Sequence, residues 1–165
     1  MSQSNHRAAR TTQSALVVSL LALFAAMPAF AGECPANKVG ANTLAGAPTK
    51  PVGVKDMEIA SIDLAGENVK LNQRRLRLRQ MEIAPGGIVP LHDHADRPAL
   101  IMVVEGEIYE NSSKCLTPIL HKPGEVSREF LGVMHWWKNS GTKTVKLTIA
   151  DIVNDKKPET MMDHM

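Results

Sequence analysis

Several things are scarce in this chain, and each scarcity narrows what it can be. Net charge is one. The sequence carries 19 Lys and Arg against 17 Asp and Glu, and Arg7 and Arg10 near its start account for the excess. Beyond them the charges balance, which removes the electrostatic footprint that nucleic acid or an anionic membrane would require. Helical periodicity is also missing. No stretch of useful length repeats apolar residues at intervals of three and four, so helix bundles and alternating α/β folds are excluded. Apolar runs are short: Ala15 to Ala26 falls under the length that crosses a bilayer comfortably, and Pro28 ends it. Cysteine is limited to Cys34 and Cys115, which allows one internal disulfide at most.

What is present begins with an export signal. Arg7 and Arg10 form a basic n-region, Ala15 to Ala26 an apolar core, and Ala29-Phe30-Ala31 a small-x-small cleavage site, so residues 1–31 read as a secretory signal peptide. Glu33 before Cys34 argues against a lipoprotein anchor. The chain is expected in the periplasm or outside the cell, with no membrane span after cleavage. That compartment is oxidising, so Cys34 and Cys115 can pair, closing a loop of about 80 residues worth roughly 4 kcal/mol on the chain-entropy model.

Residues 32–56 are rich in Gly, Ala and Pro and read as an irregular N-terminal arm. From 57 to 154, segments of strand length alternate with turn signals, giving an all-β fold, a sandwich or small barrel. In RRLRLRQMEIA (74–84) basic and apolar residues alternate and the parity shifts at Met81. This suits a strand with one wet face and a bulge, with Arg75, Arg77 and Arg79 on a solvated or subunit-facing surface. Residues 155–165 are polar and proline-broken and read as a flexible tail.

The chemistry concentrates in GGIVPLHDHADRPALIMVVEGEIYE (86–110). His92 and His94 are two apart, so on a strand both imidazoles face one side. Two converging imidazoles are half of a metal site. A second segment, Gly124 to Asn139, holds His135. By parity Val133, His135 and Trp137 share one face and Trp136 the other. Ala99, Ile101 and Val103 line one face of their strand, and Leu100, Met102 and Val104 the other. A strand apolar on both faces needs cover on both, which points to a homodimer.

Gly87, His92, His94 and Gly106, followed by Gly124, Gly132, His135 and Asn139, resemble the two motifs of the cupin family, in order and at the family's spacing. The resemblance covers residues 86–139 and, with flanking strands, most of the domain. It implies a jelly-roll barrel, the double-stranded β-helix of cupins, holding one metal ion on His92, His94 and His135. The family's acidic ligand position holds Ala99, so no carboxylate comes from there, and Phe130 replaces a customary proline. Three-histidine cupins that oxidise small thiol compounds are a precedent for chemistry without the acid, by analogy.

Three neutral imidazoles leave a divalent ion its full charge, which favours an anionic ligand or substrate or a bound hydroxide. They also suit Fe, Zn, Cu or Ni better than Mn. Asp96, His121 and Glu129 are candidates for an additional ligand or for orienting a ligand imidazole. The expected pocket comprises Ala99, Ile101, Val103, Trp137 and Arg97, with Arg97 placed either to clamp a substrate carboxylate or to pair with Asp93 or Asp96. No general base stands out. The chain therefore reads as an exported metal-dependent cupin enzyme acting on a small molecule, an oxygenase in the first instance. A lyase or isomerase using metal-bound water is the second reading, and a binding or metal-storage module without turnover is the alternative.

Overall fold

The computed structural model describes residues 32–156. The leader at 1–31 and the tail beyond 156 lie outside the described residues. Eight strands follow a short 3-10 turn at Ala36–Lys38: β1 Val52–Asp63, β2 Arg74–Asp93, β3 Ala99–Glu105, β4 Ile108–Ser112, β5 Ile119–His121, β6 Val126–Glu129, β7 Met134–Lys138 and β8 Val145–Asn154. They form one sheet in the order β5-β4-β7-β2-β8-β3-β6, with β1 added beside β2. The sheet curls into a barrel that is nearly closed, leaving β5 and β6 as its two ends.

Alternation explains the curl. In β8, Val145, Leu147, Ile149, Asp151 and Val153 are buried and their neighbours are not, so one face of each strand feeds a common interior. Met81, Ile83, Ile101, Val103, Ile108 and Trp137 meet them there. Gly106 has φ of 81° in the tight link between β3 and β4, a conformation that glycine adopts without strain. Strand β1 starts at Val52, five residues before the barrel start read from the sequence.

Strand β2 is the longest and serves two partners. Its first part, Arg74 to Ile83, pairs with β8 without interruption. Its second, Ile88 to Asp93, pairs with β7. Between them Pro85-Gly86-Gly87 bends the chain. Gly86 has φ of 74°, and a Cβ on Gly87 would stand 2.7 Å from the carbonyl oxygen of Ala84, so neither position tolerates a larger residue without strain. Asn139 pins this bend, donating from Nδ2 to the carbonyls of Ile83 (2.9 Å) and Ala84 (3.1 Å).

The arginines of β2 lie opposite to expectation. Arg77 and Arg79 are each 3% exposed inside the barrel, whereas Leu76 and Leu78 are 41% and 38% exposed outside it. The facing of β2 does not shift at Met81, and its register with β8 is continuous. Irregularities fall elsewhere: on β1 between Glu58 and Ala60, and further along β2 between Val89 and His92, where three residues of β2 span two of β7. Charge partners explain the inversion. Asp151 on β8 receives Arg77 through two hydrogen bonds, Nε to Oδ1 at 3.0 Å and Nη2 to Oδ2 at 2.9 Å. The same carboxylate lies 3.4 Å from Arg79 Nη2 and 3.9 Å from Arg97 Nη1. Arg79 also donates to Asp56. Buried charges of this kind persist only when paired. Arg75, partly exposed, pairs with Glu58 and Asp155.

The arm at 32–51 is irregular but anchored. Cys34 and Cys115 form a disulfide across a separation of 81 residues. Val39 bridges to Cys115, Asn42 Nδ2 donates to the Cys115 carbonyl at 2.9 Å, and Leu44 is buried.

Two stability outcomes follow from these contacts. Asp151→Asn leaves Arg77 without its anion and should cost about 3–5 kcal/mol, read as a fall in the urea midpoint at unchanged slope. The Cys34→Ser, Cys115→Ser pair should lower stability by roughly 2–4 kcal/mol, and a reducing agent should then have no further effect on Tm.

Candidate metal centre

The bend in β2 and the pairing of β2 with β7 bring the three histidines together. His92 and His135 are direct cross-strand partners, and His94 follows at the end of β2. Their Nε2 atoms form a triangle: His92 to His94 3.2 Å, His94 to His135 3.0 Å, His135 to His92 3.0 Å. All three residues are buried.

The opposite ring nitrogens explain why Nε2 points inward. His92 Nδ1 lies 2.9 Å from the Pro90 carbonyl oxygen and His94 Nδ1 2.6 Å from that of Arg97. Each carbonyl can only accept, so Nδ1 carries the proton and Nε2 presents a lone pair. His135 Nδ1 faces carboxylates, Glu110 Oε1 at 3.3 Å and Glu129 Oε1 at 3.4 Å. Trp137 Nε1 also aims at this nitrogen from 3.1 Å. The two carboxylates outweigh the single neutral indole, so we assign the proton to His135 Nδ1 as well.

The triangle fits a metal ion. Donors 2.0–2.1 Å from one ion stand about 2.9 Å apart at right angles and about 3.4 Å apart at the tetrahedral angle. Separations of 3.0–3.2 Å fall between these values. Once His135 gives up its proton, the three Nε2 lone pairs have no donor among them, and a cation would satisfy all three at once. Such an ion would be held by His92, His94 and His135, with the carbonyls of Pro90 and Arg97 and the two glutamates fixing the rings.

Glu129 stands beside the acidic position missing from the first motif. It is the cross-strand partner of Ala99 on β6, and Asp151 is the partner of Ala99 on β8. Carboxylates therefore flank Ala99 on both sides, one turned to His135 and the other to the arginines. Glu110 was not singled out from the sequence. Its signal was the alternation Ile108, Glu110, Ser112, which places a charged residue on the inward phase of β4. Ser127, also unanticipated, donates to Glu129 Oε1.

The other sequence candidates fall further out. His121 Nε2 is 2.8 Å from Glu110 Oε2, so His121 acts on His135 through Glu110. Asp96 is held by Arg74 and by Asn154 Nδ2 and is partly exposed. Arg97 faces Asp151 and lends its carbonyl to His94. Ile101 and Trp137 line a void with His92, His94 and Arg79, but its volume is only ≈ 20 Å³. That space suits a single water-sized molecule. Ala99, Val103 and Arg97 are buried without lining it. The space left on this side of the triad is therefore small.

Electrostatics divide the triad. Burial, reinforced by His135, drives His92 well below the ordinary imidazole range, and the same causes lower His94. Burial opposes the charge on His135 too, but Glu129 and Glu110 outweigh it and raise the pKa to about 9. Glu110 stays ionised against its burial because His121 and His135 donate to it. The two glutamates change the charge count implied by the motifs, since a divalent ion would meet two carboxylates immediately behind one ligand ring.

A family model described as Cupin matches residues 56–162, and the chain belongs to the cupin family. Among solved structures it is similar to a predicted oxalate decarboxylase from Thermotoga maritima, at 17% identity and a TM-score of 0.49, covering 70% of this chain and 97% of that one. It is also similar to a recombinant oxalate oxidase in complex with glycolate, at 22% identity and 0.48, covering 73% and 67%. The cupin domain of Schizosaccharomyces pombe Cnp3 matches at 16% and 0.48, covering 65% and 69%. These values carry no argument about activity. No curated protein matches the chain.

Without metal, His135 is protonated at neutral pH, and an entering ion displaces that proton. Zn²⁺ titrated into metal-free protein at pH 7 should release about one proton per ion. Apparent affinity should rise about tenfold per pH unit up to about pH 9, where His135 loses its proton unaided. Calorimetry in two buffers of different ionisation enthalpy reads both.

Proposed function

We propose that the protein is an exported metal-dependent cupin enzyme acting on a small organic molecule, an oxygenase in the first instance. The observation that carries this reading is the closed triangle of Nε2 atoms at metal-ligand spacing, with a carbonyl or carboxylate acceptor at each Nδ1. A bound transition metal would supply Lewis acidity and redox capacity there. The imidazole donors favour Fe, Zn, Cu or Ni over Mn. The chain itself orients the three rings, shields them in an apolar barrel, and holds compensating charge on Glu110 and Glu129. A void of ≈ 20 Å³ beside His92 and His94 supports a co-reactant of water or dioxygen size on that side. The same feature supports the second reading, a lyase or isomerase using water.

Location and assembly belong to the same proposal. The Cys34–Cys115 bridge supports an oxidising compartment. Exposed Leu100 and Met102 on β3, with Leu78 on β2 across the intervening Ala150 of β8, support a homodimer.

His92→Ala, His94→Ala and His135→Ala should each lose at least tenfold in metal affinity while remaining folded, by elemental analysis and circular dichroism. Oxygen uptake should be seen with at least one of a panel of thiols, phenols and amines, and should vanish on chelation. Full metal occupancy without uptake or conversion would move the assignment to a binding module.

A further inference from the structure

The second cavity is not absorbed by the metal site. It measures ≈ 480 Å³ and lies between β6 and the β4–β5 end of the sheet, where the barrel wall does not close because β5 and β6 do not pair. Its size is that of a small-molecule site, which spans about 300–1,000 Å³. The disulfide of Cys34 and Cys115 forms part of its wall.

Its inner end is acidic. Glu110, Ser127 and Glu129 line it and are 3%, 7% and 2% exposed. Glu129 commits Oε1 to Ser127 and His135, while its Oε2 has no hydrogen-bond partner among the described residues. That oxygen is not one of the fully buried atoms left without a partner; the cavity reaches it, and a donor can enter there. The mouth is apolar instead: Val126, Phe130 and Leu131 line it and are 44%, 48% and 86% exposed. The lining cations stand at the surface. Arg128 is neutralised there by Glu33 at 2.9 Å, and Lys114 is exposed.

We propose that this cavity binds a small organic amine, its ammonium group received by Glu129 and Glu110 and its apolar body lying along Val126, Phe130 and Leu131. An ammonium supplies three donors and the complementary charge. A carboxylate would meet two buried anions in a low-dielectric recess and would be rejected. The inference goes beyond the functional reading: it assigns a binding site on the far side of the His135 ring from the Nε2 triangle, and neither metal nor turnover is needed for it. The cavity reaches the carboxylate side of His135, opposite the cramped void by His92 and His94, so an organic molecule of this size has room here and none there.

The test is calorimetric titration of the whole protein, metal-loaded and metal-free, with benzylamine, benzyl alcohol and benzoate, which share one apolar body. Benzylamine should bind most tightly and benzoate at least about tenfold more weakly. Glu129→Gln should weaken benzylamine about tenfold and narrow its lead over benzyl alcohol. Val126→Trp, at a half-exposed strand position, should block all three while circular dichroism and metal content stay unchanged. Benzoate binding as well as benzylamine, failure of folded wild type to bind benzylamine, or benzylamine affinity unmoved by both substitutions would each overturn the proposal. Amine binding by a protein that takes up no Zn²⁺ when the ion is offered would overturn the metal reading and leave this one standing.

Discussion

The carboxylate of Asp151 holds Arg77 and Arg79 from β2 and faces Arg97 from the turn before β3. Arg97 in turn offers its carbonyl to His94 Nδ1. One buried anion thus fixes the register of β2 against β8 and, through a single residue, the orientation of an imidazole in the triad. Neither end of this link stands without the other. The arginines would be unaffordable inside the barrel unpaired, and His94 would lose the backbone acceptor that selects its tautomer.

The histidine triad was legible in the sequence because its information is local. A two-residue spacing fixes a common facing on any strand, and the glycine positions around His92, His94 and His135 locate the turns. The arginines were misread for the opposite reason. Alternation in RRLRLR reveals two faces but not which one is inside. That sign is set by Asp151, more than seventy residues away, whose own place in VKLTIADIV looks like an interruption of a strand rather than a partner. Glu110 escaped notice in the same way: its inward phase is readable from Ile108, but its purpose appears only once β7 brings His135 to face it.

Absence of an acid at Ala99 takes on a different meaning in three dimensions. The family motif places its carboxylate on the same strand, whereas here a carboxylate stands at the neighbouring register position, Glu129 on β6. It faces Nδ1 of His135 rather than the Nε2 triangle. The negative charge has moved from the ligand set to the groups behind it, where it tunes one ring and remains open to the cavity beyond. Burial keeps His92 and His94 neutral while the glutamates favour the charged form of His135, so three chemically identical side chains hold unequal affinities for a proton.

The inverted facing of β2 carries a consequence for how the chain finds its structure. Read by hydrophobicity alone, Leu76 and Leu78 belong inside and Arg77 and Arg79 outside, and a shift of pairing by one residue would satisfy that preference. It would also turn Met81 and Ile83 out of the core and carry the arginines away from Asp151. The two halves of one strand therefore vote for different alignments. The guanidinium–carboxylate pairs decide between them, which makes Arg77 and Asp151 a selector among folded forms as much as a source of stability for one.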